Sequence, residues 1–288
     1  MSNVKNTFTF KKIYEIIIIM KEILIKAFIK PYLKLIKFYT LYLNPYKYNL
    51  DNYKNYFLSA YPKKENVRLE QAKEIIFVFW TGNNELTENR KVGLNSLIDN
   101  AGIEIKLITP KNLNDYILPE YPIHKGYDYL SLIQKSDYLR CYFMLHYGGG
   151  YADIKPCLCS WKKLFEKLNA NNLKWALGVR EKFMGSVPKI EGRIGEDLKM
   201  YYNYLISNGG FIYKANSPIC KEWMKEIHKR MDFYLPELKK NPGGIYDENN
   251  YPIPWAYLAG HIMHPLILKY NEKVIYSDKD LFSLKNYR

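Results

Sequence analysis

The sequence predicts an α/β protein with a mostly parallel sheet flanked by helices. Residues 75–80 form a continuous β-branched and aromatic run, which is typical of a strand buried on both faces. Residues 88–100 have helical spacing, and residues 103–108 form a second strand-like run. Strand, helix and strand in this order indicate a parallel sheet, whose ligands bind at the carboxyl ends of the strands.

A basic helical extension is predicted ahead of this sheet. Apolar residues at helical spacing over residues 10–43, interrupted at Pro31, predict one or two amphipathic helices. Nine Lys and two Glu lie among residues 1–50, so this part carries half of the net charge of +14. Either these helices contact an anionic membrane surface, or they pack on the core with their lysines in water. Because Lys recurs at positions 21, 26, 30, 34 and 37, we expect no membrane-spanning segment.

The boundary between the extension and the α/β domain is predicted at 73/74. Residues 44–73 contain Pro45, Pro62 and several polar clusters, and are typical of a connector. The sequence thus predicts an extension over residues 1–73 and one domain over residues 74–288. The short apolar run at residues 16–20 does not predict a signal peptide.

The remaining elements follow from local patterns. A proline-containing loop leads into a predicted helix at residues 126–146, and residues 175–179 predict a further strand. Residues 180–195 form a basic, glycine-containing loop, which either closes over a phosphate or is simply mobile. Further helices are predicted at residues 157–168, 196–206 and 217–240.

Charge and cysteine content narrow the function classes. A net charge of +14 favours an anionic partner such as phospholipid, nucleic acid or a sugar nucleotide. We expect no nucleic-acid partner, because the basic stretch is strongly apolar and the sequence contains no reader motif. Four cysteines are too few for a disulfide scaffold in a chain of this length, and favour buried thiols in the cytoplasm.

Residues 136–155, SDYLRCYFMLHYGGGYADIK, carry the most informative pattern. Asp137 and Arg140 are three residues apart on the predicted helix and therefore share one face. Glycines 148–150 end that helix and permit backbone angles that other residues avoid. Asp153 and Lys155 follow, and the alternation of a strand puts both on one side. The pattern predicts a charged helix face and an acidic strand end at one place.

These residues resemble the SDxxR…YGGxYxDxD signature of sugar-nucleotide-dependent glycosyltransferases. That group includes the DXD-type sugar transferases, the capsular polysaccharide synthesis proteins and the clostridial glucosylating toxins. The resemblance extends from about residue 75 to residue 270, with IFVFWTGN in front and NGGFIY and PIPWAYLAGHIMHP behind. It implies a GT-A-like nucleotide-diphospho-sugar transferase fold.

The activity implied by the resemblance is sugar transfer with retention of anomeric configuration. The donor would be a nucleotide sugar, and the acceptor a capsular or surface polysaccharide or a lipid-linked glycan. An enzyme of this kind would be cytoplasmic or peripheral on the inner face of the membrane. The alternative from another class is a catalytically inactive glycan- or nucleotide-binding protein derived from such an enzyme.

The resemblance also implies roles for the residues of the motif. Asp137 would accept hydrogen bonds from donor-sugar hydroxyls, and Arg140 would hold the sugar or stabilise the leaving diphosphate. A solvated ion pair, worth roughly 0.3–0.5 kcal/mol, is the ordinary alternative for these two residues. Further donor-binding positions in the same motif are Ser136, Gly149, Gly150 and Tyr151.

Positions outside the central motif are predicted to bind the donor as well. Trp80 either caps the core or forms an aromatic wall for the nucleotide base, with Thr81 and Gly82 beside it. Asn208, in the NGGF segment, lies near the donor sugar in relatives, although Asn-Gly is also an ordinary turn pair.

Lys155 stands where the family has the second aspartate of the DXD motif. The family's divalent ion needs oxygen ligands, which a protonated lysine does not provide. Either Asp153 binds Mn²⁺ or Mg²⁺ together with another acid or a histidine such as His264 or His261, or Lys155 supplies the positive charge, or the site is silent. The predicted catalytic residues are Asp137, Arg140, Asp153 and Lys155, and the predicted metal ligands are Asp153 and His264.

Overall fold

The computed structural model describes residues 25–245 and 250–283, which fall into two compact units divided between Lys47 and Tyr48. This division comes earlier than the predicted boundary at 73/74. Residues 48–73 pack within the second unit, where the Tyr53 hydroxyl donates a 2.5 Å hydrogen bond to Asp197. The Tyr56 hydroxyl likewise donates to a backbone carbonyl 205 residues further along the chain.

The described part of the first unit is a continuous helical segment. A π-helical turn at Ile25–Ile29 leads into helix α1 (Lys30–Phe38), and a second π-helical turn follows at Tyr39–Leu43. The predicted interruption at Pro31 does not occur, because the proline falls in the first turn of α1, where its missing N–H removes no hydrogen bond of that helix. Residues 10–24 of the predicted helix lie outside the described residues. Across the described part of the chain, none of the helices has both the length and the apolar character needed to cross a membrane.

The second unit is built on one six-stranded sheet in the order β2-β1-β3-β5-β4-β6. Strand β5 runs antiparallel to both of its neighbours, whereas the other three neighbouring pairs are parallel. The predicted mostly parallel α/β sheet is therefore confirmed. The strands are β1 (Ile75–Phe79), β2 (Glu104–Ile108), β3 (Gly149–Ala152), β4 (Ala176–Arg180), β5 (Ile206–Tyr213) and β6 (Val274–Ser277).

Six α-helices flank the sheet among the described residues of this unit. The helix predicted at residues 88–100 is confirmed, whereas three others are displaced from their predicted bounds. The helix predicted from residue 126 begins at 132, since the Ser131 side chain accepts a hydrogen bond from the Gln134 N–H and caps it. The helices are α2 (Glu88–Asn100), α3 (Leu132–His146), α4 (Lys162–Asn169), α5 (Gly192–Met200), α6 (Pro218–Lys240) and α7 (Gly260–Lys269).

Apolar residues cover both faces of the central strands. On one face, Ile76 and Val78 of β1 join Leu177 of β4 and the side chains of α2 and α4 in a buried cluster. On the other face, the rings of Phe77 and Phe79 lie 4.8 and 5.1 Å from the ring of Phe143 in α3. Burial on both faces explains the continuous apolar run of β1, and it fixes α3 beside the carboxyl ends of β1 and β3.

Candidate active site

Three predicted residues line a cavity just beyond β1. Trp80, Thr81 and Gly82 follow that strand and border a cavity of about 580 Å³. The indole nitrogen of Trp80 donates a 2.7 Å hydrogen bond to the Asn84 carbonyl, and the Thr81 hydroxyl donates at 2.6 Å to the Leu132 carbonyl. These bonds hold the loop after β1 against the first turn of α3. The cavity lies at the sheet edge where the α/β topology predicts a ligand.

Other residues that line this cavity were not predicted from the sequence. Lys135 and Leu139 of α3 line it, as do Asn114 and Asp128 from the segment between β2 and α3. None of them belongs to a recognisable motif. Lys135 alone had a usable signal, since it directly precedes the SDxxR motif on the same helix.

Arg140 is the centre of a charged cluster whose members are not among the residues that line the cavity. Its guanidinium lies 3.1 Å from an oxygen of Asp137 and 3.5 Å from an oxygen of Asp153. The same group stacks 4.5 Å over the ring of Tyr151. The side chains of Asp137 and Arg140 are only 6% and 14% exposed, so the pair is not the solvated surface pair that the sequence left open.

Asp153 accepts hydrogen bonds from a neutral hydroxyl and from a charged ammonium group. One carboxylate oxygen accepts a 2.6 Å hydrogen bond from the Tyr151 hydroxyl, and the other accepts at 2.8 Å from the Lys155 ammonium. Burial raises the pKa of Asp153, but the charges of Arg140 and Lys155 outweigh it, and the net shift is downward. Burial lowers the pKa of Arg140, but Tyr151, Asp137 and Asp153 together raise it above its ordinary value. The cluster thus brings together two carboxyl groups, Asp137 and Asp153, and two basic groups, Arg140 and Lys155.

The glycines of the motif shape the backbone of the site. Gly148 and Gly149 have φ angles of +65° and +91°, as expected from the glycine run. A Cβ on Gly149 would lie 2.7 Å from the Ile75 carbonyl oxygen, and one on Gly150 would lie 3.0 Å from the Ile76 side chain. Gly149 and Gly150, predicted to contact the donor, are thus buried in β3 and allow it to pack against β1.

Tyr151 and Ser136 form a chain of hydrogen bonds that ends on Asp153. Tyr151 is buried, its ring stacks 5.4 Å from that of Phe79 at the end of β1, and its hydroxyl holds Asp153. The side chain of Ser136 hydrogen-bonds the same hydroxyl. The ring of Tyr151 thus connects the strand that leads to the cavity with the charged cluster.

A bulge in β5 brings Asn208 to the cluster. Between the pairs Gly178–Phe211 and Arg180–Ile206, four residues of β5 oppose one residue of β4. Bulges of this kind redirect a strand and are common beside active sites. The Arg140 guanidinium donates at 3.4 Å to the Asn208 carbonyl. Within the described part of the chain, Nε of Arg140 and Oδ1 of Asn208 are buried without a hydrogen-bond partner.

The predicted metal pair of Asp153 and His264 is not assembled. His264 is fully buried, and its Nε2 lies 3.1 Å from the Ile206 carbonyl oxygen and 3.8 Å from Glu181. Burial lowers its pKa to about 4. The contacts of Asp153 are instead with Tyr151, Lys155, Arg140 and the Gly209 backbone.

The donor set at Asp153 does not fit a divalent ion. Among residues 25–245 and 250–283, no three or more His, Cys, Asp or Glu side chains are grouped so as to hold a metal. Mg²⁺ and Mn²⁺ need several oxygen ligands, but the nearest charged neighbours of the Asp153 carboxylate are two cations. We therefore derive no chemical step through a metal.

Fold and site together define an α/β protein with a buried charged cluster just beyond β3 and a cavity at the carboxyl ends of β1 and β2. Residues 36–176 match the family model of the capsular polysaccharide synthesis protein, which confirms the resemblance inferred from the sequence. The matched region contains Trp80, Asp137, Arg140, Asp153 and Lys155.

Among solved structures, the PaToxG glycosyltransferase is similar with a TM-score of 0.36 and 16% sequence identity, over 61% of this chain and 67% of that chain. No curated protein matches the chain.

Proposed function

We propose that the chain is a glycosyltransferase with a GT-A-like fold that transfers a sugar from a nucleotide-sugar donor to a hydroxyl of a polysaccharide or lipid-linked glycan. The buried cluster of Asp137, Arg140, Asp153 and Lys155, taken together with the cavity that Trp80 borders, supports this proposal. The match to capsular polysaccharide synthesis proteins over residues 36–176 supports the acceptor class.

The donor is proposed to lie across the cavity and the charged cluster. A volume of about 580 Å³ is within the range of small-ligand sites, roughly 300–1,000 Å³. The base and ribose would occupy the cavity against Trp80, since every base presents a face that stacks on an aromatic ring. The diphosphate and sugar would extend to Arg140 and Asp137, which lie one turn apart on α3.

The chemistry follows from the charges of this cluster. The bond between the anomeric carbon and the phosphate oxygen breaks, and the acceptor hydroxyl forms the new bond on the same face of the sugar. Negative charge accumulates on the departing diphosphate, where the Arg140 guanidinium stabilises it. The departing phosphate oxygen takes the proton of the acceptor hydroxyl, and Asp137 orients the sugar by accepting hydrogen bonds from its hydroxyls.

The proposal is tested by nucleotide release from a panel of UDP-, GDP-, CDP- and ADP-sugars, analysed by chromatography. Asp137→Asn keeps the side-chain shape but removes the charge, and we expect it to lower turnover by roughly 10²-fold. The matched control is Asp51→Asn, because Asp51 also pairs with a cation three residues away but is 72% exposed. The control variant should retain full activity.

A catalytically silent binding protein would give a different outcome. It would bind a nucleotide sugar or a glycan without releasing nucleotide under any condition. Trp80→Ala would still weaken nucleotide binding by about tenfold or more, whereas Asp137→Asn would have no turnover to lower. Binding without cleavage across the whole panel would therefore reject the transferase.

We also propose that the helical segment at residues 25–43 binds an anionic membrane surface. Large apolar side chains recur along it every three or four residues, and all are more than 40% exposed: Phe28, Tyr32, Leu35, Tyr39 and Tyr42. Residues 25–47 contain five lysines and no acidic residue. An exposed apolar stripe flanked by lysines matches the chemistry of an anionic bilayer, where a lipid-linked acceptor would be found.

This second proposal is tested by co-sedimentation with vesicles of phosphatidylcholine alone or mixed with phosphatidylglycerol. We expect binding to the anionic vesicles only, and its loss in Leu35→Glu and in the triple variant Lys30→Glu, Lys34→Glu and Lys37→Glu. Lys54→Glu is the control, since Lys54 is exposed but lies in the second unit. A concentration-dependent dimer that Leu35→Glu dissociates, without vesicle binding, would reject the proposal.

A further inference from the structure

We infer that Lys155 takes the place of a divalent ion at this site, so that Lys155 and Arg140 bind the diphosphate of the donor without a metal. The inference rests on the proposed use of a nucleotide donor. It adds the way in which the site neutralises that donor.

Lys155 brings the same charge to the site as an aspartate with a bound divalent ion. An aspartate that holds a divalent cation carries a net charge of +1, and a protonated lysine at the same position also carries +1. The change from acid to lysine at position 155 thus supplies the charge that an acid-bound ion would bring. A divalent ion added beside Lys155 and Arg140 would be repelled by both.

The Asp153 carboxylate positions the two cations next to each other. The Lys155 ammonium lies 2.8 Å from one oxygen of Asp153, and the Arg140 guanidinium lies 3.5 Å from the other. One carboxylate therefore holds both cations side by side. Both cationic side chains are 14% exposed, so they are positioned before a ligand arrives yet still reach solvent.

Two buried polar atoms of the site, one on Arg140 and one on Asn208, lack a hydrogen-bond partner in the portion of the chain that the structure describes. In the described residues, Nε of Arg140 and Oδ1 of Asn208 are buried without a partner, although buried polar atoms are nearly always paired. Both atoms are closed to solvent, so a ligand reaches them only after the side chains that cover them move. A diphosphate oxygen would then satisfy the donor on Arg140, and a sugar hydroxyl the acceptor on Asn208.

The test is calorimetric titration of UDP, GDP, CDP and ADP into the full chain, in EDTA and separately in Mn²⁺ or Mg²⁺. We expect the wild type to bind one of these diphosphates equally well in EDTA and in metal. Lys155→Met should weaken that binding by about 10- to 100-fold, and added metal should not restore it. Lys155→Asp rebuilds the DXD motif, so it should lose binding in EDTA and regain it in Mn²⁺.

The matched control is Lys163→Asp, which makes the same change in net charge at an exposed position of α4. It should bind as the wild type does, in EDTA and in metal. Thermal melting of each variant checks that it is folded, and Lys155→Met remains informative if the acidic variant is not.

Each outcome of the titration decides a separate point. Wild-type binding that requires Mn²⁺ or Mg²⁺ would overturn the inference but leave the proposed transferase intact. EDTA-resistant binding that survives Lys155→Met would also overturn it, because the charge would then come from elsewhere. Failure of every diphosphate to bind, with and without metal, would reject the nucleotide donor itself.

Discussion

Replacing Arg140 by Met should destabilise the protein far more than the loss of a surface ion pair. The change withdraws the cation 3.1 Å from Asp137 and one of the two cations at Asp153. It also removes the guanidinium stacked 4.5 Å over Tyr151. Breaking a buried pair from one side costs about 3–5 kcal/mol, because a buried charge is left uncompensated.

The measurement is urea unfolding of the full chain, in which the midpoint and the slope of the transition give the free energy of unfolding. Lys54→Met is the matched control, since Lys54 lies 3.0 Å from Asp51 at the same three-residue spacing with both side chains more than 70% exposed. That control should cost about 0–1 kcal/mol.

A double variant identifies the source of the loss. When Asp137→Asn is combined with Arg140→Met, the charge at position 137 that Arg140 compensated is gone. We expect the two changes to be non-additive by more than about 1 kcal/mol, as is usual for residues in contact. If Arg140→Met proves no more costly than Lys54→Met, the inference from burial fails and the pair is an ordinary solvated one.

Two further predictions concern positions away from the charged cluster. The pKa of His264 is about 4 in the folded state against 6.5 ordinarily, so the unfolded chain binds the proton first. His264 therefore makes its full contribution to the free energy of unfolding above pH 6.5, and this contribution falls by about 3 kcal/mol towards pH 4. In His264→Gln the urea midpoint should depend less on pH than in the wild type. An equally steep dependence of the midpoint on pH would contradict the prediction. Gly195→Ala should lower stability by more than about 2 kcal/mol in thermal unfolding, because its Cβ would lie 1.7 Å from the Ile190 carbonyl oxygen. Gly185→Ala is the control, because there the Cβ meets the exposed ring of Phe183, which can move aside. If this control loses as much stability as Gly195→Ala, a backbone clash is not the cause.

Local pattern was sufficient to predict β1, β2, β4 and helix α2, but not β6. The run at residues 75–79 is apolar at every position because β1 is covered on both faces, which is a property of the strand itself. Helix α2 agrees with its predicted bounds. By contrast, the helix predicted at residues 196–206 begins at Gly192 and ends at Met200, and Ile206 belongs to β5. Pairing of Ile206 with Arg180 of β4 decides that end, and such long-range pairing leaves no local signal.

The candidate site was predictable where one helix turn or one strand end carried it. Asp137, Arg140, Asp153 and Lys155 come together as their spacing indicated, although Asp153 and Lys155 lie just beyond β3. Lys135 and the remaining walls of the cavity come from separate segments, so only the folded chain identifies them. The structure places the buried His264 ring against the Ile206 carbonyl oxygen, a contact that sequence position does not reveal.

The NGGF segment shows how a motif can mark a site through its backbone. A Cβ on Gly209 would lie 3.1 Å from a carboxylate oxygen of Asp153, and one on Gly210 would lie 2.6 Å from the ring of Phe282. Gly209 therefore allows the bulge of β5 to approach Asp153, whose backbone N–H donates to the Gly209 carbonyl at 2.8 Å, whereas Gly210 makes room for the ring of Phe282. Because this bond and the side-chain contacts of Lys155 fix the same residue, the bulge sets where the cationic pair stands. Under the proposed binding of a diphosphate by Lys155 and Arg140, Gly209 would thus set the geometry of the site through its backbone.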